Sequence, residues 1–522
     1  MSMYWIKVPR FVTYALVFLC FHSMFAVQAS ATTTTSPTLA ILSENYTFIA
    51  WTESALGIAE FPTTPIERLA NYENLSLRQC LDLTIANNFD IQTSKRDLLI
   101  SQSSYREAQA EFIPSFILGA QTGVGKDRTN LNDDRIETHR NSQNASLTAQ
   151  QNLATGGSIQ ASMETGRSKG TDKTYSNTGN VSLAQPLLRG GGLRRGLADI
   201  RASRLSFINS EISDALRRRD ITLTVIEQYY SILRAKSQLR VSLDALEQKA
   251  RFLEATKIKF SLDQIPESEI SRAEVQYLQE RDNVVSRQQT YDDQIEGLLT
   301  LLGLPLQTKL SIQDITEFLL KIGKVELPML DQCIAEAIGN RMELVQSDIA
   351  VRQQEIALDT AQNETLPNLD FNVSYSGSDA GNEFSESHNL GDQSTWDAGL
   401  SLTIPWPNIP KREALRRARL SLEKAHINQL SRERDTVRDV TQSYRRVKAS
   451  ESSLVILAKT VEQAEKSLDQ ELGRFDAGLS TSNDVRQAQD DLFQTRSNYF
   501  GELVNYQISI SRLYKAIGRS LN

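Results

Sequence analysis

The stretch CLDLTIANNFDIQTS, Cys80 to Ser94, falls without a gap on CIAEAIGNRMELVQS, Cys333 to Ser347, when the chain is slid over itself by 253 residues. Ile85 meets Ile338, Asn87 meets Asn340 and Ser94 meets Ser347. The match continues with Ala108-Gln109 on Ala361-Gln362, Glu111 on Glu364 and Pro114 on Pro367. After an irregular stretch it resumes at a slide of 215, with Asp220 on Asp435, Val225 on Val440, Tyr229 on Tyr444, Phe260 on Phe475, Arg281 on Arg496 and Gly303 on Gly518. Self-similarity at a constant slide marks a tandem duplication, and it governs how often each element must occur. The drop from 253 to 215 means that the first copy carries 38 extra residues between Pro114 and Asp220.

The second half of each copy is helical with a period of seven. Val225, Ile232, Leu239, Leu246, Leu253 and Phe260 form one line, and Val440, Val447, Leu454, Val461, Leu468 and Phe475 form the other. A strict apolar repeat of seven imposes a left-handed supercoil. The companion seam position is mixed, from Tyr229, Lys236 and Leu243 in copy one to Tyr444, Glu451 and Ala458 in copy two. Such narrow apolar lines suit helices packed side by side around water better than a dry core. Gly196 to Phe260 is 65 residues, roughly 100 Å of helix at 1.5 Å per residue. Each long helix ends in a turn, SLDQIPESE or DAGLSTSND. A second helix then runs back, Ile270 to Leu302 and Val485 to Ile517, towards Gly303 and Gly518, where a C-terminal glycine is expected.

Between the helical parts the period becomes two. Leu369, Phe371, Val373 and Tyr375 alternate with polar or small residues, as do Trp396, Ala398, Leu400, Leu402 and Ile404. In copy one the expected strands are Phe116 to Gly123, Ser146 to Leu153, Ile159 to Gly166 and Asn180 to Gln185, with an additional hairpin around Ala154-Thr155-Gly156-Gly157. The Gly-, Asn- and Asp-rich segments 125–141 and 376–394 read as loops. Strands of about ten residues with one apolar face fit a tilted crossing of a bilayer, and equally an antiparallel sheet in a soluble domain. The duplication and the oversized helices favour the first.

At the end of the last copy-one strand stands LLRGGGLRRG, Leu187 to Gly196. It matches neither phosphate-binding template: the glycine spacing is wrong for G-x-G-x-x-G, and Leu197 and Ala198 replace the lysine and hydroxyl of a P-loop. The second copy makes the same junction with prolines, IPWPNIPKREALRR, an exchange no phosphate cradle would tolerate. Pro186, Gly190, Gly191 and Gly192 in one copy, and Pro405 and Pro407 in the other, read as a corner of special backbone between strand and helix.

The chain has 522 residues and a formal net charge of −7. Lys7 and Arg10 precede an apolar run from Phe11 to Val27, and Val27-Gln28-Ala29 offers small residues for cleavage, so residues 1–29 read as an export signal. A lipoprotein would need a small residue ahead of Cys20, where Leu19 stands. Cleavage takes the charge to −9, which argues against a nucleic-acid partner. It also leaves Cys80 and Cys333, too few for a disulfide framework. His139, His388 and His426 begin no HExxH pair, and no GxSxG or CxxC occurs, so neither an enzyme nor a metal or cofactor site is expected.

The order of helix, strands and long helix pair, twice over, resembles the TolC family of outer-membrane efflux channels. The resemblance rests on Ala86 to Ile91 (ANNFDI), on Pro114 and Pro367 ahead of strands, on the SLAQPLLRGG junction and on the ending YKAIGRSL. It implies an α+β membrane protein, an internally duplicated TolC-like protomer whose long antiparallel coiled helices form a periplasmic tunnel. Its strands would contribute to a trimeric outer-membrane β-barrel. The domains are then 1–29 signal, 30–74 without a structural reading, 75–320 first repeat (strands about 115–187, helix pair about 196–303) and 321–522 second repeat (strands about 368–405, helix pair about 411–518). The implied partners are two further copies, a periplasmic adaptor, an inner-membrane pump of RND, ABC or MFS type, and outer-membrane lipid. The implied role is the exit duct of a tripartite efflux or type I secretion system. The extra hairpin could raise the strand number above the family's usual four per protomer.

The family's constriction lies at the helix-pair turns, where inward acids ring the aperture. The matching residues are Glu269 and Asp484, aligned at 215, with Phe260, Phe475, Ser480 and Gln487 as neighbours. Phe475 and Ser480 stand where relatives carry a gate Tyr and Arg, so that latch is missing its hydroxyl and its charge. Two readings of the acids stay open: a carboxylate ring favouring cations, or first-turn acids stabilised by the helix dipole. A soluble periplasmic coiled-coil adaptor or scaffold is the alternative for the whole chain. It explains the signal and heptads but not the strands with Trp396 and Trp406 at their ends.

Overall fold

The computed structural model describes residues 72–131, 134–169, 173–262, 266–313, 327–383, 393–477 and 479–520. The export signal, His388 and most of the 30–74 segment lie outside them. In chain order the elements are β1 (Tyr72–Leu75), α1 (Leu77–Asn87), α2 (Phe89–Ala110), β2 (Ser115–Leu131), β3 (Asp134–Asn152), β4 (Ser158–Lys169) and β5 (Lys173–Pro186). Then come α3 (Leu193–Gly196), α4 (Ala198–Ser261), α5 (Glu267–Leu302), β6 (Leu310–Ile312), α6 (Leu330–Asn340) and α7 (Met342–Asn363). The chain closes with β7 (Asn368–Gly381), β8 (Gln393–Thr403), α8 (Ile409–Asp476) and α9 (Ser482–Ile517). Two compact units result, one holding Ser103–Arg204 and Gln354–Ser421, the other holding the remaining described residues.

The helical unit carries the duplication into its cores. One cluster gathers Cys80, Val225, Ile232, Leu298 and Leu302, and the other gathers Cys333, Val440, Val447, Leu513 and Ile517. These are the same five positions in each copy. Both cysteines are buried and unpaired, and burial pushes the Cys80 thiol up to about 11, which makes it an inert packing residue. The return helices stop at Gly303 and Gly518, both left-handed at φ 67° and 85°. A Cβ on Gly303 would stand 2.6 Å from the Asn87 carbonyl, and one on Gly518 would stand 3.1 Å from Asn340 Cβ. The conserved geometry thus pairs each C-terminal glycine with the equivalent asparagine of its own copy. Along the heptad lines burial fades towards the turns: Val225, Ile232, Val440 and Val447 are fully buried, whereas Phe260 is 39% exposed.

The other unit holds a six-stranded antiparallel sheet in the order β2-β3-β4-β5-β7-β8. Copy one supplies four of its strands and copy two supplies two. The strands outrun their apolar alternation. Segment 125–141, expected as a loop, is paired backbone from Gly125↔Arg140 to Leu131↔Asp134, and β7 and β8 extend into 376–394 as far as Ser378↔Gln393. Ladder hydrogen bonds need no apolar side chains, so Gly, Asn and Asp extend a hairpin that composition alone marks as a loop.

Candidate functional site

The register sorts the sheet into two faces. One row runs Phe116, Ala149, Ala161, Val181, Tyr375, Trp396 across all six strands. The rows either side include Leu118, Leu147 and Met163 in one direction and Ile159, Leu183, Val373 and Ala398 in the other. The Tyr375 and Trp396 rings lie 4.8 Å apart. The opposite face runs Ile117, Thr148, Ser162, Asn180, Ser376, Thr395, and next to it Ser115, Gln150, Gln160, Ser182, Ser374, Asp397.

The apolar face is uncovered. Leu118 is 82% exposed, Trp396 70% and Leu400 66%. From Trp396 to Ile404 the alternation covers about 26 Å of strand at about 3.3 Å per residue, or about 20 Å when tilted by about 40°. An exposed apolar band this size is unfavourable in water and suited to lipid. Among the described residues no helix is long and apolar enough to cross a membrane, which bears only on helices.

The corner residues sit where the extra hairpin meets the strand-to-helix junction. The turn Ala154–Gly157 is closed by the Gly156 N–H donating to the Leu153 carbonyl, 2.9 Å, and the Leu153 N–H to the Gly157 carbonyl, 2.7 Å. The Gly192 N–H donates to the Thr155 carbonyl, 2.9 Å, and the Thr155 hydroxyl donates to Gln185 Oε1, 2.7 Å. Backbone approaches backbone so closely that a Cβ on Gly156 would stand 2.1 Å from the Gly190 carbonyl oxygen, and one on Gly196 would stand 2.0 Å from that of Ala154. Gly190 and Gly192 are left-handed, φ 84° and 91°, and the Gly190 N–H donates to Asn363 Oδ1, 2.6 Å. Arg194 and Arg195 pair with Asp359 at 2.6 Å and Asp199 at 3.5 Å. In copy two, α8 starts just past Pro405 and Pro407, and Lys411 donates to Glu364 at 2.7 Å. That bond holds the Glu364 carboxyl below the usual range.

At the helix-pair turns, Glu269 and Asp484 lie in the first turns of α5 and α9 and are engaged locally. Glu269 accepts from Arg272 at 2.8 Å. Asp484 is the third residue of a capping box, accepting from the Thr481 N–H at 2.9 Å and hydroxyl at 2.7 Å, while its own N–H donates to Thr481 Oγ1. The Thr481 hydroxyl and N–H, the Ser480 hydroxyl and the Arg474 charge hold its carboxyl below the usual range. Copy one has Pro266 at the capping position, with no side-chain cap. Ser480 donates to Glu471 at 2.7 Å and to Asp484 at 3.3 Å. Phe475 packs on Phe252, ring centroids 6.3 Å apart, under the Lys259 ammonium at 4.1 Å. Gln487 donates to Asp491 at 2.9 Å. Glu269 and Asp484 are thus the same position twice, while their surroundings differ.

Sequence reasoning missed the ion pairs joining copy one to copy two: Lys249 to Asp490 at 3.1 Å, Glu227 to Arg512 at 2.7 Å and Asp220 to Lys515 at 2.8 Å. It also missed the cluster of Arg219, Arg341, Glu343 and Asp439. Burial alone would raise the Glu343 carboxyl, but the bonds and charges of Arg341 and Arg219 hold it below the usual range. None of these pairs repeats at the duplication offset, so the repeat carried no signal for them.

Residues 333–519 match the outer membrane efflux protein family. Outer membrane protein TolC of Escherichia coli (strain K12) is 24% identical over 314 residues. That match covers 58% of this chain and 62% of that protein, less than two thirds of the relative's length. The Campylobacter jejuni CmeC outer membrane channel superposes with a TM-score of 0.66 at 14% identity, over 85% of each chain. The open state of the Neisseria gonorrhoeae MtrE outer membrane channel does so with 0.62 at 15%, over 85% of this chain and 89% of that one. At such identities the two superpositions speak for the fold alone.

Proposed function

We propose, from the premise that this chain is a TolC-like outer membrane efflux protein, that three copies form a passive exit duct from the periplasm to the outside. The duct receives cargo from a periplasmic adaptor and an inner-membrane pump and catalyses no reaction. The observation that carries this reading is the six-stranded sheet with one uncovered apolar face and one Ser-, Thr-, Asn- and Gln-rich face. One face outward to lipid and the other inward to water is what the wall of a water-filled barrel needs, whether four or six of the strands take part. A soluble scaffold would leave the same band against water. Fractionation tests the choice: heat-modifiable oligomers in the outer-membrane detergent extract are expected, and full release by osmotic shock would overturn the duct.

In the assembled duct Glu269 and Asp484 of three copies would bring six carboxylates around the periplasmic aperture, with Phe260, Phe475, Ser480 and Gln487 beside them. Asp484 remains ionised while capping α9, so the cap and the ring are compatible roles. Replacing both acids with alanine is expected to weaken block by multivalent cations in planar bilayers. Unchanged selectivity and block would remove the ring from the reading.

A further inference from the structure

We propose that the extra hairpin is part of the barrel wall, so that each protomer contributes six strands and a second protomer, a further copy of the whole chain, docks its β2 edge onto the first protomer's β8 edge. Three protomers then close an eighteen-stranded barrel. This rests on the duct reading above but does not follow from it, because four strands per protomer would serve a duct equally well.

Three observations carry it. First, β3 and β4 are continuous wall: β3 pairs with β4 from Asn141↔Lys169 to Asn152↔Ser158, and β4 pairs with β5 from Ser158↔Ala184 to Lys169↔Lys173. The apolar row crosses both through Ala149 and Ala161 without interruption. The turn joining them is seated on the Gly190–Gly196 corner by the bonds of Thr155 described above, which ties the hairpin to the wall at its foot.

Second, the edges are complementary. Five successive antiparallel pairings separate β2 from β8, so the two edge strands run in opposite directions. A copy of β2 therefore continues the antiparallel pattern beside β8, and identical head-to-tail contacts can close a ring. The apolar faces meet at that seam, Phe116, Leu118 and Ala120 on one side and Trp396, Ala398, Leu400 and Leu402 on the other.

Third, the occupant has to be another copy. Each edge carries a row of backbone N–H and C=O groups, and lipid offers them no partners. Six strands are fewer than the eight of the smallest outer-membrane barrels, so a single copy cannot close on itself.

Because barrel diameter grows about linearly with strand number, eighteen strands give a lumen about 1.5 times as wide as twelve. The outer-membrane exit would then admit cargo of about twice the cross-section that a four-strand protomer allows.

The test uses the full-length chain in outer membranes of producing cells. Cysteine pairs are placed on the water-facing side of the two edges, Ser115→Cys with Ser401→Cys and Ile117→Cys with Asp397→Cys. Phe116→Cys with Ser401→Cys serves as the control whose side chains point to opposite faces. The expected result is a reductant-sensitive ladder of dimers and trimers for at least one water-facing pair and none for the control. Cryo-electron microscopy of the unmodified oligomer is expected to count eighteen strands. A conducting trimer with twelve strands and 134–169 outside the wall, or one that gives no ladder from either pair, overturns the inference and leaves the duct standing. Release of the chain by osmotic shock without any oligomer overturns both.

Discussion

Replacing Gly196 with alanine tests whether the hairpin turn is seated on the corner. Gly196 ends α3, and its added Cβ would stand 2.0 Å from the Ala154 carbonyl oxygen, 2.8 Å from its carbon and 2.9 Å from the Gly156 nitrogen. All three atoms are backbone, so no rotamer change relieves them. The turn cannot retreat freely either, because Gln185 and Gly192 bond Thr155 from the other side. Overpacking of this kind costs about 1–3 kcal/mol. Alanine's better helix propensity is worth about 1 kcal/mol only in a helix interior, and Gly196 ends a helix of four residues, so it returns a fraction of that and the clash wins by about 1–2 kcal/mol. At about 2–4 °C per kcal/mol for a unit of this size, Tm should fall by roughly 2–8 °C. The assay is heating of the detergent-extracted oligomer, followed by circular dichroism and by loss of the oligomer band. Gly339→Ala in α6 is the reference, since a Cβ there meets nothing within 4 Å. A Gly196→Ala protein melting no lower than wild type and Gly339→Ala would refute the seating.

Leu400→Arg on the apolar face should impair assembly into the membrane by about 2–4 kcal/mol, whereas Ser401→Arg on the opposite face should assemble normally. Folding yields into vesicles read the difference, and equal yields would contradict the face assignment. Thr481→Ala removes the cap of α9 and should cost about 1 kcal/mol, seen as faster amide exchange in its first turn. The same contact sets a pH dependence. The Asp484 carboxyl is held below its ordinary value, so its contribution is complete above about pH 4 and is lost as pH falls through the lowered value. Wild type should therefore lose more stability than Asp484→Asn on acidification below pH 4, and parallel curves would count against the cap.

How much of this was legible in the sequence differs from element to element. The coiled helices announce themselves because a line such as Val225, Ile232 and Val440, Val447 must recur every seven residues to stay on one face. The faces of the sheet are equally open to reading, since Phe371 and Val373 must alternate with polar neighbours wherever one side meets lipid. Strand length is not: beyond the apolar band, β2 and β3 are held by backbone pairing, which Gly125, Asp127 and Asn141 support without any pattern. The acids show the same divide. Aligning Glu269 with Asp484 takes only the repeat, but Thr481 capping one while Arg272 pairs with the other emerges only when the turns are folded.

The three glycines at 190–192 mark the boundary between the two kinds of information. The sequence by itself determined that they are not a phosphate loop, because the residues that would hold the ligand are missing and the second copy substitutes prolines. It also determined the duplication, the helical period and the 38-residue excess of copy one, all of which are properties of order along the chain. Only the tertiary structure decided why the corner must be glycine: the hairpin turn and the junction approach so closely that neither Gly156 nor Gly196 has room for a Cβ, while Gly190 and Gly192 are held at φ 84° and 91°. Approach between segments some forty residues apart is a property of the folded backbone, and no local spacing encodes it.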